Sequence, residues 1–413
     1  MFIFISNVAR EYAWGDTAAI PLMLGEDATG EPQAELWLGT HIDDPAELQH
    51  GTQKATTLLD LIQGDVDKYG VDGAGLPFLL KVLGIGQPLS VQAHPNKQQA
   101  VEGFERENAL GVAREAAERN YRDPNHKPEV VVALSDDFAA LAGFRPLSAV
   151  VADLRAMAAF GGESAESLGD LADWISAGVV TPASSKSRDA EVRSQVMNWI
   201  FAGSDAVAEA LEALSVSLGG LADERRARVL RELLELHPND PGVLVSLLMN
   251  LVHLEAGEAL YLPPQHIHAY LSGVAIEVMA SSDNVMRAGL TEKHIDAEEL
   301  CRVIEFEELA DPRLPGVEEQ AGVTLWQPDV PDFSLRRLRV QQGSEPVSMS
   351  ADYPLVLIAT EGKVVAERSD DGLDEFANIA RGQALYVSAG EPVTFTGNGE
   401  LFIATVGESW GGA

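Results

Sequence analysis

GEALYLPPQHIHAYLSGVAIEVMASSDNVMRAGLTEK, residues Gly257–Lys293, begins with an apolar run, Ala259–Leu262, that predicts a buried strand. After the Pro263-Pro264 step come His266, His268 and Tyr270. Residues two apart in a strand share a face, so these three side chains are expected to point the same way, into a barrel. Ser272-Gly273 reads as a turn. Beyond it, Glu277, Met279, Ser281 and Asp283 alternate onto one face of a returning strand, and Arg287 and Lys293 close the stretch. Imidazoles, carboxylates and cations around one hairpin point to a metal site for an anionic ligand, with further ligands to come from elsewhere in the chain.

The stretch has a partner near the end of the chain. Gly257-Glu-Ala-Leu-Tyr-Leu-Pro-Pro lines up with Gly382-Gln-Ala-Leu-Tyr-Val-Ser-Ala. Both predict the strand-and-turn unit of a jelly-roll barrel, a double-stranded β-helix. Continued, the alignment sets His266 against Glu391 and His268 against Val393, so the second barrel is expected to lack the histidines. Before the stretch, Phe2–Ser6, Ala34–Thr40, Phe78–Leu83, Leu89–Ala93, Glu129–Leu134 and Ala139–Phe144 are short apolar or alternating runs bounded by turn residues. Thr57 and Asn96 stand at capping-box spacing and start helices.

From Leu147 to Leu236 the period changes. Val192, Val196, Trp199 and Ile200 fall at helix spacing, as do Val207, Leu211, Leu214 and Leu218, then Val229, Leu230, Leu233 and Leu234. Strand patterning resumes over Val243–Leu254. Asp296 and Glu299 cap a helix expected to run to about Glu308, and Asp311–Gly316 reads as a linker. The expected fold is mainly β with an α insertion: two cupin-like jelly-roll barrels plus an inserted all-helical domain. The expected division is 1–146 and 237–320 for the first barrel, 147–236 for the insertion and 321–413 for the second barrel.

The 413 residues are long enough for two or three cored domains. No apolar run reaches the roughly 18 residues expected of a membrane helix, and MFIFISNVAR has no basic segment of a signal peptide. The single cysteine, Cys301, excludes an intramolecular disulfide and a thiolate metal cluster, and fits a reducing cytoplasm. A formal net charge of −35 argues against nucleic acid or anionic membranes as partners. An anionic ligand then needs locally concentrated cations. Four of the eight lysines, Lys81, Lys97, Lys127 and Lys293, fall inside the motifs considered below.

Leu89-Ser-Val-Gln-Ala-His-Pro-Asn-Lys97 places Ser90, Gln92 and His94 on one strand face. A helix begins directly after Pro95, where unpaired N–H groups favour phosphate. Asn125-His-Lys-Pro-Glu-Val130 places Lys127 and Glu129 on one face at a strand start.

With AELWLGTH (34–41), SVQAHPNK (90–97), NYRDPNHKPEVVVAL (120–134) and the opening stretch, the chain resembles the type I mannose-6-phosphate isomerases, with the motifs in that family's order. The resemblance implies one zinc per chain held by Gln92, His94, Glu129 and His268. Two nitrogens and two oxygens suit zinc. It places Arg287, Lys127, Glu277 and Asp283 in the active site, and Ser90, Lys81 and Lys97 around the phosphate end. His266 is not a ligand position in the family and is expected beside the site. Glu292 stands where the family usually has proline, setting a negative charge beside Lys293.

The implied reaction interconverts mannose 6-phosphate and fructose 6-phosphate through an enediol and feeds mannose and GDP-mannose metabolism, in a cytoplasmic monomer. Glu277 is the first choice of base, with Lys127 and metal-bound water as rivals. Two other classes fit parts of the pattern. A jelly-roll iron oxygenase would use His266, His268 and a carboxylate, but does not account for Gln92 and the cations. A non-catalytic sugar-phosphate-binding protein would keep the barrel without the chemistry.

Overall fold

In the computed structural model, which describes residues 1–51, 55–71, 75–178, 187–370 and 373–411, every residue of the strand Phe78–Ile85 is buried. Such a strand needs apolar or paired neighbours on both faces. One face of it turns inward to the candidate site, and the other turns outward to a second sheet. Among the described residues the chain forms two large antiparallel sheets, of nine and ten strands, with helices packed against the first.

The strand His268–Ala280 organises the nine-stranded sheet. Its first part pairs with Val91–Ala93 and Phe138–Phe144, and its second part with Phe78–Ile85 and Glu129–Ala133. The expected turn at Ser272-Gly273 is therefore not a turn. The chain continues as one strand of 13 residues. A register shift lies between Tyr270 and Ser272, where Tyr270 faces Ala140 and Ser272 faces Ala139, leaving Leu271 as an extra residue. Gly273 follows at φ +108°, where a Cβ would stand 2.7 Å from Phe138 Cα. One extra residue reverses the alternation of faces. Tyr270 and Glu277, seven apart and so out of phase in a regular strand, thereby meet on the inner side, 2.9 Å apart.

Two other expectations move. Val243–Leu254 is half helix, Gly242–Leu247, and half strand, Met249–Leu254. An apolar run of that length fits either a buried helix or a buried strand. The helix capped by Asp296 ends at Val303 rather than near Glu308. Residues 311–316 are no free linker: Tyr261 N–H donates to Pro312 O, and Leu314 N–H to Ala259 O. The capping boxes at Thr57 and Asn96 are both present.

Residues 147–236 are helical where described, in five α-helices from Leu147–Gly161 to Glu224–Leu236. Residues 179–186 of this block lie outside the described set. Val192, Val196, Ile200, Leu211, Leu214 and Leu230 share a core with Val91, Ala93, Ile267 and Met286 of the sheet. The helices thus cover the outer face of the strands that carry Gln92 and Arg287. With Val91 and Ala93 packed outward, Gln92 faces the interior.

The ten-stranded sheet holds residues 317–405 together with Phe2–Ser6 and Glu47–Leu48 from the other end of the chain. Phe2–Ser6 pairs with Ala384–Val387. The paired motifs of the sequence adopt the same local structure: Gly257 and Gly382 both have positive φ, and four-residue strands follow them. Their neighbours also correspond. Leu262 faces Glu129 as Val387 faces Leu355, and His268 faces Gln92 as Val393 faces Met349. Two residues past Gln92 is His94, and two past Met349 is Ala351. Met349, Ala351, Leu355 and Val393 are all buried in one apolar cluster. The two sheets share another core, in which Leu80, Val82, Val130, Ile276 and Val278 meet Trp326, Phe333, Val356, Ile358 and Phe402.

Candidate metal centre and active site

Gln92 and His268 face each other across paired strands, His94 lies two residues on, and Glu129 opens its strand opposite Leu262. His94, Glu129 and His268 are each at most 2% exposed. Their donor atoms lie within 4.8 Å of one another. Glu129 stands between the rings, with Oε1 3.3 Å from His94 Nε2 and Oε2 3.2 Å from His268 Nε2.

The other ring nitrogens fix the tautomers. His94 Nδ1 lies 2.7 Å from the carbonyl of Asn284, and His268 Nδ1 lies 3.0 Å from the carbonyl of His266. A carbonyl only accepts, so each Nδ1 carries the proton and each Nε2 presents a lone pair. Burial and then the Lys127 charge push His94 down to about 4, which keeps the ring neutral. Burial raises the Glu129 pKa, but Lys127 and His94 outweigh it and hold the carboxyl well below its usual range. His94 Nε2, His268 Nε2 and Glu129 Oε2 are buried without a hydrogen-bond partner. Unpaired buried acceptors are costly, and three converging acceptors are what a cation would satisfy. The donor set, with Gln92 beside it, fits zinc.

His266 contributes its carbonyl to this centre, while its ring is not among the clustered donors. That removes the ligand pairing of His266 with His268 on which the iron-oxygenase reading was built.

Around the centre lies a buried polar network. Lys127 Nζ is 2.9 Å from Glu129 Oε1. Glu277 is 3.2 Å from Lys81 Nζ and accepts from Tyr270 O–H. Lys81 also faces Glu35 at 3.6 Å, and Trp37 Nε1–H donates to Glu35 at 2.5 Å. Burial raises the Glu277 pKa, with Lys81 opposing and Glu129 adding to the rise. Burial disfavours the Lys81 ammonium, but Glu35 and Glu277 hold its pKa above the usual lysine value. Three carboxylates, Glu35, Glu129 and Glu277, thus face two ammonium groups.

Asp283 stands at the edge of this network. His41 Nδ1 is 3.3 Å from the Asp43 N–H, which leaves its Nε2–H to donate to Asp283 Oδ1 at 3.2 Å. Arg114 binds both Asp43 and Asp283. Burial raises the Asp283 pKa, but the hydrogen bond from His41, with the nearby Lys127 charge, prevails and holds it well below the usual carboxylate range. With Nε2 protonated and the carboxylates engaged by Arg114, His41, Asp43 and Asp283 form an ion-paired set rather than a second metal site.

Arg287 faces Gln92 in register and is half-buried. Ser90 is half-buried just ahead of Val91–Ala93. Lys97 begins its helix, donates to Asn125 Oδ1 and lines a cavity of about 860 Å³ that includes His41, Asp283 and Trp410 but none of the metal-ligand candidates. Lys81 and Lys97 therefore lie apart, one inside the network and one at the surface. Glu35, Trp37 and His41 were not singled out from the sequence. Their signal was the alternation of AELWLGTH, which sets Glu35 and Trp37 on one strand face.

Residues 2–147 match the family described as phosphomannose isomerase type I, catalytic domain. The chain is 35% identical over 406 residues to the mannose-6-phosphate isomerase of Escherichia coli (strain K12), covering 96% of this chain and 97% of that one. It is 30% identical to the Homo sapiens mannose-6-phosphate isomerase, over 94% of each. A solved mannose 6-phosphate isomerase bound with zinc and yttrium superposes with a TM-score of 0.84 at 32% identity, over 98% of this chain and 99% of that one.

Proposed function

The chain belongs to the type I mannose-6-phosphate isomerases and is an enzyme of that activity; from this premise we propose that it interconverts mannose 6-phosphate and fructose 6-phosphate through an enediol, on one zinc held by Gln92, His94, Glu129 and His268. The observation that carries the metal assignment is the set of three buried, unpaired acceptors, His94 Nε2, His268 Nε2 and Glu129 Oε2.

Bound zinc would supply electrophilic polarisation of the sugar oxygens. The protein's own residues do the remainder. The open-chain sugar must lose a proton from the carbon next to its carbonyl and regain it on the neighbouring carbon. Glu277 is the base: it is buried, its pKa is raised, and Tyr270 and Lys81 hold its carboxylate in one place. A raised pKa suits a base that must both take and return a proton. Lys127, 2.9 Å from Glu129, adds positive charge where negative charge develops. Asp283, kept ionised and oriented by His41, is placed to accept from a sugar hydroxyl. Arg287 supplies a fixed cation at the edge.

The two sheets we read as cupin-like barrels, with 147–236 as a helical insertion into the first and 321–413 as a barrel without metal ligands. The product would feed mannose and GDP-mannose metabolism in the cytoplasm, and the enzyme would act as a monomer. No helix among the described residues is long and apolar enough to cross a membrane.

A coupled assay on mannose 6-phosphate, run before chelation, after it and after zinc return, tests the reading. Activity should vanish and come back; zinc-loaded protein with no turnover would overturn it.

A further inference from the structure

Just ahead of the strand Glu129–Ala133, the chain runs through Asn125, His126, Lys127 and Pro128 without regular structure. Asn125 is tied down on one side. Its carbonyl accepts from Asn284 Nδ2–H at 2.8 Å, its Nδ2–H donates to Ser281 O, and its Oδ1 accepts from Lys97 Nζ. Pro128 is tied on the other side, where its carbonyl accepts from the Ala280 N–H at 3.1 Å. Between these two ties, His126 and Lys127 make no backbone hydrogen bond among the described residues. Unpaired backbone does not fix its own position, so the two side chains must fix it. Lys127 Nζ reaches Glu129 Oε1 at 2.9 Å. His126 Nε2 reaches Asp332 Oδ2 at 2.8 Å. A carboxylate only accepts, so this Nε2 carries a proton.

Asp332 comes from the ten-stranded sheet, on the connection between Val323–Trp326 and Ser334–Val340. That connection is well anchored. Val330 and Phe333, on either side of Asp332, are buried in the core the two sheets share, and Pro331 O accepts the Gly407 N–H at 2.8 Å. The carboxylate thus stands on a fixed segment and holds an imidazole that stands on a loosely supported one. The two side chains are 17% and 18% exposed, so water screens their contact less than it screens a surface pair. Both line the cavity of about 860 Å³, with Asp283 and Lys97 on one wall and Pro331 and Trp410 on the other. A residue of the second sheet therefore reaches the segment that carries Lys127 and leads into Glu129.

We propose that Asp332 is a positioning residue for the isomerisation: through His126 it sets where Lys127 stands beside Glu129, so that the ten-stranded sheet takes part in the active site of the other. The assignment rests on the isomerase reading, in which Lys127 meets the negative charge that develops on the sugar. Stabilisation of that kind depends on placement, and a misplacement of about 1 Å can cost about 10²-fold in rate. Because the charge develops only as the sugar reacts, the effect belongs to kcat and not to substrate binding.

The test uses the zinc-loaded full chain with Asp332→Ala, Asp332→Asn and His126→Ala. Asp332→Ala should lower kcat about tenfold, the order expected of a shift smaller than 1 Å. KM for mannose 6-phosphate, zinc content and unfolding temperature should stay as in the unsubstituted chain. Asp332→Asn keeps an acceptor oxygen for His126 Nε2–H and should recover most of the lost kcat. Because Asp332 acts through His126, adding Asp332→Ala to His126→Ala should lower kcat no further. An additive fall in the double variant would overturn the proposal. So would an unchanged kcat in Asp332→Ala, or a joint fall in kcat, zinc content and unfolding temperature that Asp332→Asn does not reverse, which marks a structural ion pair. The Lys127 ammonium signal in a proton–nitrogen correlation spectrum reads the placement without turnover. It should move in Asp332→Ala and return in Asp332→Asn, and an unmoved signal would sink the assignment. If the unsubstituted chain turns over no mannose 6-phosphate yet the signal moves in this way, the isomerase reading fails and the positioning of Lys127 by Asp332 stands.

Discussion

His266 and His268 lie two residues apart, yet they face the candidate metal centre through different atoms. His268 offers a ring nitrogen, and His266 offers the carbonyl that keeps the proton on the far nitrogen of His268. Because a carbonyl survives any side-chain change, His266→Ala should retain zinc while His268→Ala should lose most of it; metal analysis after gel filtration checks this, and equal loss in both would refute the division. Glu277 makes a second claim at this scale. Glu277→Gln removes the proposed base and should lower kcat by about 10²- to 10⁴-fold. A base works only when deprotonated, so activity should fall as pH drops through the Glu277 pKa, which burial places above the usual 4.5. That acidic limb should disappear from the residual activity of Glu277→Gln; a limb that persists would transfer the role to another group. The proposed ligand residues were readable in the sequence because donor types recurred at strand spacing. Glu35 and His41 were not. Each matters through a partner distant in the chain, Lys81 and Asp283 respectively.

Elements show where local pattern succeeds and where it cannot. Phe2–Ser6 and the starts of the helices after Thr57 and Asn96 lie where alternation and capping spacing put them, since each signal is contained in a few consecutive residues. Ser272-Gly273 misled for a related reason. Glycine beside serine is what a turn requires, and a bulge in a long strand requires the same freedom. Only pairing with Phe138–Phe144 and Phe78–Ile85 on either side decides between them. The bulge also brings Tyr270 and Glu277 onto one side. Gly273→Ala forces a positive φ on alanine and drives Cβ toward Phe138 Cα, and should cost about 1–3 kcal/mol. Differential scanning calorimetry would measure the cost, and an unchanged unfolding temperature would show that the strand accommodates the methyl group.

At the scale of the molecule, the two sheets depend on each other. Leu36, Leu80, Val82, Val130, Val132, Ile276 and Val278 are covered by residues beyond Gly316, and Phe2–Ser6 takes its partner from Ala384–Val387. A chain ending at Gly316 would expose that apolar face and leave Phe2–Ser6 without the strand it pairs with. It should aggregate, even though it retains every proposed ligand; a monodisperse, zinc-binding fragment on size exclusion would contradict this. Composition indicated two or three cored domains but not this dependence, because nothing in a single apolar strand says which face another sheet will cover. The correspondence of Met349, Ala351, Leu355 and Val393 with Gln92, His94, Glu129 and His268 has a consequence for design. The same strand pairing closes over four apolar side chains in one sheet and over the four proposed ligands in the other, so the pairing itself does not need an ion to form. The apolar version is a blank on which the four donor side chains could be written to test whether that pairing is enough to hold a metal.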